Sequence, residues 1–277
     1  MERLNNQIED HYHKSNLYEE IILRLQQKGV DLNQLTRDDI SAVDEFHVRG
    51  AEVSRELAQY LNLQGSRILD VGCGLGGPCR MLADEYDCEV TGIDLSPEYI
   101  RTAEKLSSLV SLSDKTKFTI GNATALPFNS HSFDAVWTQH VQMNIPDKMK
   151  FYSEITRVLI PGGHLIYYDI LKASTKSVNY PVPWAQHADL SFLIDQDEIH
   201  GILMDLQMTK IYSKDQTQAG IDFFDSMLSH IRENGPPKLG LNVLMGEAAL
   251  LKITNLLNGL KENCIVLDSG VYQKTIK

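Results

Sequence analysis

The sequence has no uninterrupted apolar run long enough to cross a bilayer, and its first residues, Met1 to His13, lack the apolar stretch of a secretory signal. Both absences lead to the expectation of a cytoplasmic protein with no membrane insertion. Positive charge is short: 26 Lys and Arg face 37 Asp and Glu, a formal net charge of -11 with no basic cluster. Phosphate backbones are bound by clustered cations, so nucleic acid is not an expected partner. The four cysteines, Cys73, Cys79, Cys88 and Cys264, form no C-x-x-C pair. That spacing suggests neither a zinc site nor a disulfide framework, and the thiols read as reduced core or loop residues. Internal repeats and low-complexity tracts are missing as well. What is present is an ordinary globular composition in a chain of 277 residues, long enough to bury a full core.

The most informative stretch runs from Ile68 to Gly77, Ile-Leu-Asp-Val-Gly-Cys-Gly-Leu-Gly-Gly. Ile68, Leu69 and Val71 read as a buried strand, and Gly72, Gly74, Gly76 and Gly77 permit a turn that side chains would obstruct. A helix is expected from Pro78 to Asp87, so backbone N–H groups at its start can approach a ligand. The glycines fit two ligands. Gly72-x-Gly74-x-x-Gly77 matches a dinucleotide fingerprint, and Asp94 follows at about the 20-residue spacing it requires. Asp70 counts against that reading, because a carboxylate at the strand end repels a pyrophosphate and suits a cationic ligand. With the motifs further on, the stretch resembles motif I of the S-adenosylmethionine-dependent methyltransferases with a Rossmann-like fold.

Along the chain, residues 1–65 read as a helical N-terminal prefix, with helices at Leu17 to Lys28 and Ala51 to Leu61. Residues 66–277 read as the methyltransferase domain. Strands are expected at Glu89 to Leu95, Lys117 to Gly121, Phe133 to Thr138 and His164 to Ile170, alternating with helices as in a parallel sheet covered on both faces. Residues 172–194 read as a substrate-side insertion after the fifth strand. Asp195 and Glu198 form a capping box for the next helix. A short strand at Lys210 to Ser213, helices near Thr217 to Arg232 and Gly246 to Leu260, and a last strand at Ile265 to Ile276 complete the chain. The expected fold is α/β, a doubly wound and mostly parallel sheet with an antiparallel last strand.

Ligands of such sheets bind outside the carboxyl ends of the strands. Asp94, closing the second strand, can accept from both hydroxyls of a ribose. Gln139 and His140 close the fourth strand and are expected near the methyl donor and acceptor. His140 is the candidate catalytic residue, orienting or deprotonating the acceptor, because an imidazole with a pKa near ~6.5 can take a proton at neutral pH. His47, Trp184 and His187 are candidates for the acceptor pocket.

Several segments carry the family resemblance. Gly121-Asn122-Ala123-Thr124 resembles the family's adenine-binding segment, with Asn122 where Asp is common and an amide oxygen that could accept from the adenine amino group. Leu95 would form an apolar wall beside the purine. Phe133 to His140 resembles motif II, and Arg157 to Gly163 resembles motif III, a helix end and turn. Over residues 67–170 the chain is similar to small-molecule methyltransferases, notably the sarcosine and dimethylglycine N-methyltransferases and the quinone C-methyltransferases. Trp137-Thr138-Gln139-His140 resembles the former, with His140 where that group has an acidic residue. The resemblance implies S-adenosyl-L-methionine as cofactor and assigns Arg49 to its carboxylate. It also implies that Tyr12 closes over the donor. An amine acceptor is slightly preferred over a carbon or oxygen acceptor. An NAD-type oxidoreductase and a non-enzymatic binding module are the competing readings, and the prefix permits a homodimer.

Overall fold

The computed structural model describes residues 8, 12 and 16–276; the rest of the prefix, including most of Asp10 to His13, lies outside the described residues. Seven strands form one sheet in the order β3-β2-β1-β4-β5-β7-β6. They are β1 (Arg67–Val71), β2 (Glu89–Asp94), β3 (Thr116–Ile120), β4 (Phe133–Gln139), β5 (Leu159–Lys172), β6 (Met208–Asp215) and β7 (Ile265–Lys274). β1 to β5 pair in parallel, and β7 runs antiparallel to both β5 and β6. The expected α/β fold with its antiparallel last strand is therefore the observed one. Ile68, Leu69, Asp70 and Val71 are all buried, as a central strand covered on both faces requires. From β1 the chain moves outward to β2 and later returns to β4 on the other side. A crevice opens at that reversal.

Helices fall close to their expected positions, at Leu17–Gln27, Ala51–Ala58, Gly77–Glu85, Pro97–Leu109, Lys148–Val158, Thr217–Asn234 and Ala249–Lys261. The helix Gln196–Asp205 has the expected capping box: Asp195 Oδ1 accepts from Glu198 N–H at 2.9 Å, and Glu198 Oε2 from Asp195 N–H at 3.0 Å. One expectation changes. Pro161-Gly162-Gly163 is not a turn ahead of the strand but a looped-out part of β5 itself: Leu159 already pairs with Phe133, and the register resumes at His164 with Ala135. The peptide at Gly163 lies against the Asp134 carbonyl, leaving no room for a side chain.

The prefix is tied to the glycine turn by a buried ion pair. Arg80 Nη2 donates to Asp44 Oδ2 at 2.6 Å and to the Leu75 carbonyl at 2.5 Å, while Nη1 reaches the Ala103 carbonyl and Ser107 Oγ. Both partners of the pair are almost wholly buried. The turn allows this approach because Gly77 lacks a Cβ, which would overlap the Asp44 carbonyl.

Gly72 is the tightest point. Its φ is +77°, and a Cβ there would collide with Val141 in the loop after β4. Gly72→Ala is expected to destabilise the fold by about 2 kcal/mol or more, from left-handed backbone strain and overpacking together. A fall in the urea midpoint at unchanged slope is the readout.

Candidate active site

The carboxyl ends of β1, β2 and β4 enclose a cavity of about 1240 Å³, counted out to its mouth. It gathers most of the residues singled out in the sequence. Asp70 comes from β1, Gly72 and Gly74 from the turn, and Asp94 and Leu95 from the end of β2. Asn122 and Ala123 follow β3, and Gln139 and His140 end β4. Gly76 does not line it. Its glycine is required for packing, because a Cβ would lie 2.7 Å from the Phe118 ring.

Asp70 is 2% exposed, and Cys79 Sγ donates to its Oδ2 at 3.2 Å. Burial pushes this carboxyl up to about 7, the Cys79 contact lowering it and the Asp94 charge raising it. The site therefore holds a carboxyl group near half-ionisation that a cationic ligand would convert to the carboxylate. Cys73, inside the turn, is pushed up to about 11 by burial. That rules it out as a ready thiolate, in keeping with its reading as a small filler.

Asp94 is fixed on both oxygens. Gly74 N–H donates to Oδ2 at 3.0 Å, and Ser96 N–H to Oδ1 at 2.9 Å. Each carboxylate oxygen has a second lone-pair direction left for a ligand. Ser96 caps the next helix through Tyr99 N–H, so Asp94 is not used as the cap.

Asn122 differs from its expected use. Its Oδ1 accepts from Thr124 N–H at 2.8 Å and from Thr124 Oγ1 at 2.9 Å, which fills both lone pairs. An NH2 group cannot accept the Thr124 backbone N–H, so the amide orientation is set. Its oxygen is thus taken, and the group of Asn122 left over for a ligand is the Nδ2 donor.

Besides Gly76, three expected residues stand apart from this cavity. Arg49 lies outside it: Nη1 donates to Glu56 at 3.0 Å and Gln216 at 2.9 Å, and Nη2 donates to Glu52 at 2.6 Å. With its guanidinium satisfied by these partners, Arg49 does not face the cofactor cavity as a carboxylate ligand. His187 is exposed and lines neither this cavity nor its neighbour, because the chain turns outward before the short helix Ala188–Leu190. Trp184 belongs to the neighbour.

That second cavity, of about 500 Å³ to its mouth, opens beside the first. Tyr12, Phe46, His47 and His140 line both. Its far wall comes from the Thr217–Asn234 and Ala249–Lys261 helices and the segment before the latter, through Phe223, Phe224, Met245, Ile253 and Leu256. Trp184 closes one side, buried, with Nε1 donating to Ser191 Oγ at 2.9 Å.

The residues at the junction are held closely. His47 Nε2 lies 3.0 Å from the Gly50 carbonyl, which makes it the protonated nitrogen, and 3.1 Å from Ser54 Oγ. Burial lowers the His47 imidazole to about 4. The buried Glu45 carboxyl beside it is pushed well up by desolvation and by Asp44. The His47 imidazole is therefore neutral near pH 7. His140 has a φ of +54°, a left-handed backbone that a β-carbon normally resists, and its ring packs 4.9 Å from that of Tyr168. Its Nε2 has no hydrogen-bond partner. Burial, then His47, holds the imidazole well below its usual pKa, so it is a weak base and a neutral hydrogen-bonding group. Gln139 accepts from Trp137 Nε1 at 2.7 Å and from Ser54 Oγ at 3.2 Å, while its Nε2 has no partner.

Sequence reasoning missed Asn144 and Tyr99. Asn144 Oδ1 accepts from the Tyr12 hydroxyl at 2.9 Å, and its Nδ2 donates to the Trp184 and Leu190 carbonyls. It joins prefix, insertion and cavity. A polar Asn-Ile-Pro-Asp loop directly after β4 was the available signal.

Residues 69–167 match a family model described as a methyltransferase domain. The chain is 38% identical over 133 residues to the 2-methyl-6-phytyl-1,4-hydroquinone methyltransferase of Synechocystis, covering 48% of this chain and 40% of that protein. Over 100 residues it is 41% identical to the chloroplastic tocopherol O-methyltransferase of Arabidopsis thaliana, covering 36% and 29%. The chain thus spans well under half the length of these curated relatives. Among solved structures, the phosphoethanolamine N-methyltransferase 2 of Haemonchus contortus in complex with S-adenosyl-L-methionine superposes with a TM-score of 0.72. It is 18% identical over 89% of this chain and 60% of that one, a likeness of fold. Within the matched segment and just beyond it, the strand ends and their loops carry most of the cavity residues between Asp70 and Asp147, and Pro78 and Tyr99 come from the helices Gly77–Glu85 and Pro97–Leu109. Among the described residues no helix is long and apolar enough to cross a membrane, and no group of three or more His, Cys, Asp or Glu is placed to hold a metal ion.

Proposed function

We propose that this protein transfers a methyl group from S-adenosylmethionine to a small molecule. The observation that carries the reading is the pairing, in one cavity, of a buried carboxyl at Asp70 with a pre-tied ribose acceptor at Asp94. The chain's residues fit the donor group by group. Asp94 offers one free lone pair per oxygen to the ribose hydroxyls. Asn122 Nδ2 and the Leu95 wall suit the adenine, and Gln139 Nε2 is an unpartnered donor for the carboxylate end. Asp70 faces the cationic methionine portion. Bound there, S-adenosylmethionine supplies an electrophilic methyl carbon on a good leaving group.

What the protein must then contribute is alignment and exclusion of water, which can account for much of the rate. Tyr12, Phe46, His47 and His140, shared by the two cavities, are where donor and acceptor would meet. We place His140 as the group that hydrogen-bonds the acceptor, a role its depressed basicity leaves intact. His140→Asn is expected to lower kcat/KM by about tenfold to a hundredfold while leaving donor affinity within about twofold. Normal turnover by that variant would remove His140 from the mechanism.

Calorimetry tests the donor assignment directly. S-adenosylmethionine should bind and NAD should not; the reverse would restore the oxidoreductase reading. The names of the curated relatives favour a quinol-type acceptor, and the Trp137 to His140 motif favours an amine. A cytoplasmic location is proposed with them, supported by four buried free thiols.

A further inference from the structure

The second cavity shows what kind of acceptor it can take, an inference that rests on the methyltransferase reading. Among the described residues that line it there is no Asp, Glu, Lys or Arg. Phe223, Phe224, Met245, Ile253 and Leu256 give it an apolar wall, and its polar atoms gather at one end, on Tyr12, His47 and His140. The Arg49 guanidinium is held by Glu52, Glu56 and Gln216 on another face.

An amino acid or a carboxylated amine brought here would leave a desolvated carboxylate with no cation, a cost of several kcal/mol. An ammonium would meet two neutral imidazoles and no carboxylate in this cavity. A neutral molecule with an apolar body and a single hydroxyl head meets neither penalty. Its body replaces water against the aromatic wall, and its hydroxyl lies toward His140, whose ring no hydrogen bond at Nε2 holds in place.

We propose that the second cavity binds an uncharged, mostly apolar phenol-type acceptor, with His140 receiving its hydroxyl. The acceptor oxygen forms the new C–O bond to the methyl carbon as the C–S bond breaks and its electron pair stays on sulfur. The hydroxyl proton becomes strongly acidic as that bond forms, passes to the His140 imidazole, and leaves to water. A weak base is sufficient for a proton lost at that stage.

The test uses the full chain loaded with S-adenosylhomocysteine, titrated in the calorimeter with 4-hexylphenol and, separately, with sarcosine. Saturable binding of 4-hexylphenol alone is expected. Two variants that fill the cavity, Ile253→Trp and Phe223→Trp, should each weaken it by about tenfold or more, with affinity for S-adenosylhomocysteine unchanged as the check on folding. Sarcosine binding in place of 4-hexylphenol would overturn the proposal, as would 4-hexylphenol binding that neither substitution alters. Failure of 4-hexylphenol to bind the loaded protein would overturn the acceptor class alone. Failure of S-adenosylhomocysteine to bind the unmodified protein would instead overturn the donor assignment, and the acceptor class with it.

Discussion

Asp70→Asn is expected to weaken S-adenosylmethionine binding by about a hundredfold or more at pH 8, while making the ligand-free protein harder to unfold. Removing one member of a buried charge pair typically costs about 2–5 kcal/mol of binding. The gain in stability has the same origin. The Asp70 carboxyl is pushed up to about 7 in the folded protein from 3.8, so the folded state holds a proton that the unfolded chain has released. Ligand-free stability therefore falls as the pH rises from about 4 through 7, by an amount on the order of 4 kcal/mol. Asparagine never ionises and escapes that loss. Thermal denaturation from pH 5 to pH 8 should show the variant's advantage growing with pH. The unmodified protein should bind the donor more tightly over the same interval, because a cation selects the ionised carboxyl. A donor affinity equally flat with pH in both proteins would mean that Asp70 does not face the cation.

The second large effect belongs to a residue that touches no reacting atom. Asp44→Ala is expected to destabilise the protein by about 3–5 kcal/mol, because it leaves the Arg80 charge buried without a partner. The three remaining acceptors of that guanidinium, the Leu75 and Ala103 carbonyls and Ser107, are neutral. Replacing both members with apolar residues, Asp44→Leu with Arg80→Met, should recover most of the lost stability, since the desolvation cost disappears with the charge. Urea unfolding of the single and double variants measures this. Donor affinity should not recover in parallel, because Arg80 also holds the Leu75 carbonyl inside the cofactor turn and Asp44 lines the cavity.

The parts of the fold that could be read from sequence were those where local chemistry and tertiary setting agree. The strand at Ile68 to Val71 and the capping pair Asp195 and Glu198 each have a short-range cause and appear where that cause puts them. Pro161 to Gly163 reads as a turn locally, but β5 has already begun to pair at Leu159. Only the neighbouring strand could reveal that. Arg49 shows a similar limit. An arginine before a helix suits an anion, yet Glu52 and Glu56 lie along the same helix and Gln216 is 167 positions away. Asn122 lies at the cavity, but its turn with Thr124 uses the oxygen. The wall of the second cavity was invisible for a different reason: Phe223, Met245 and Ile253 belong to ordinary apolar helix faces, and only packing makes them surround a space.

The tie between Gly74 and Asp94 has a consequence for how quickly the site can work. Because Asp94, the carboxylate we propose for the ribose, already clamps the glycine loop, that loop would have little disorder to surrender when a nucleoside arrives. Any slow rearrangement in a catalytic cycle would then fall to the Tyr12 side of the crevice, leaving the nucleoside end as the fixed jaw of the machine.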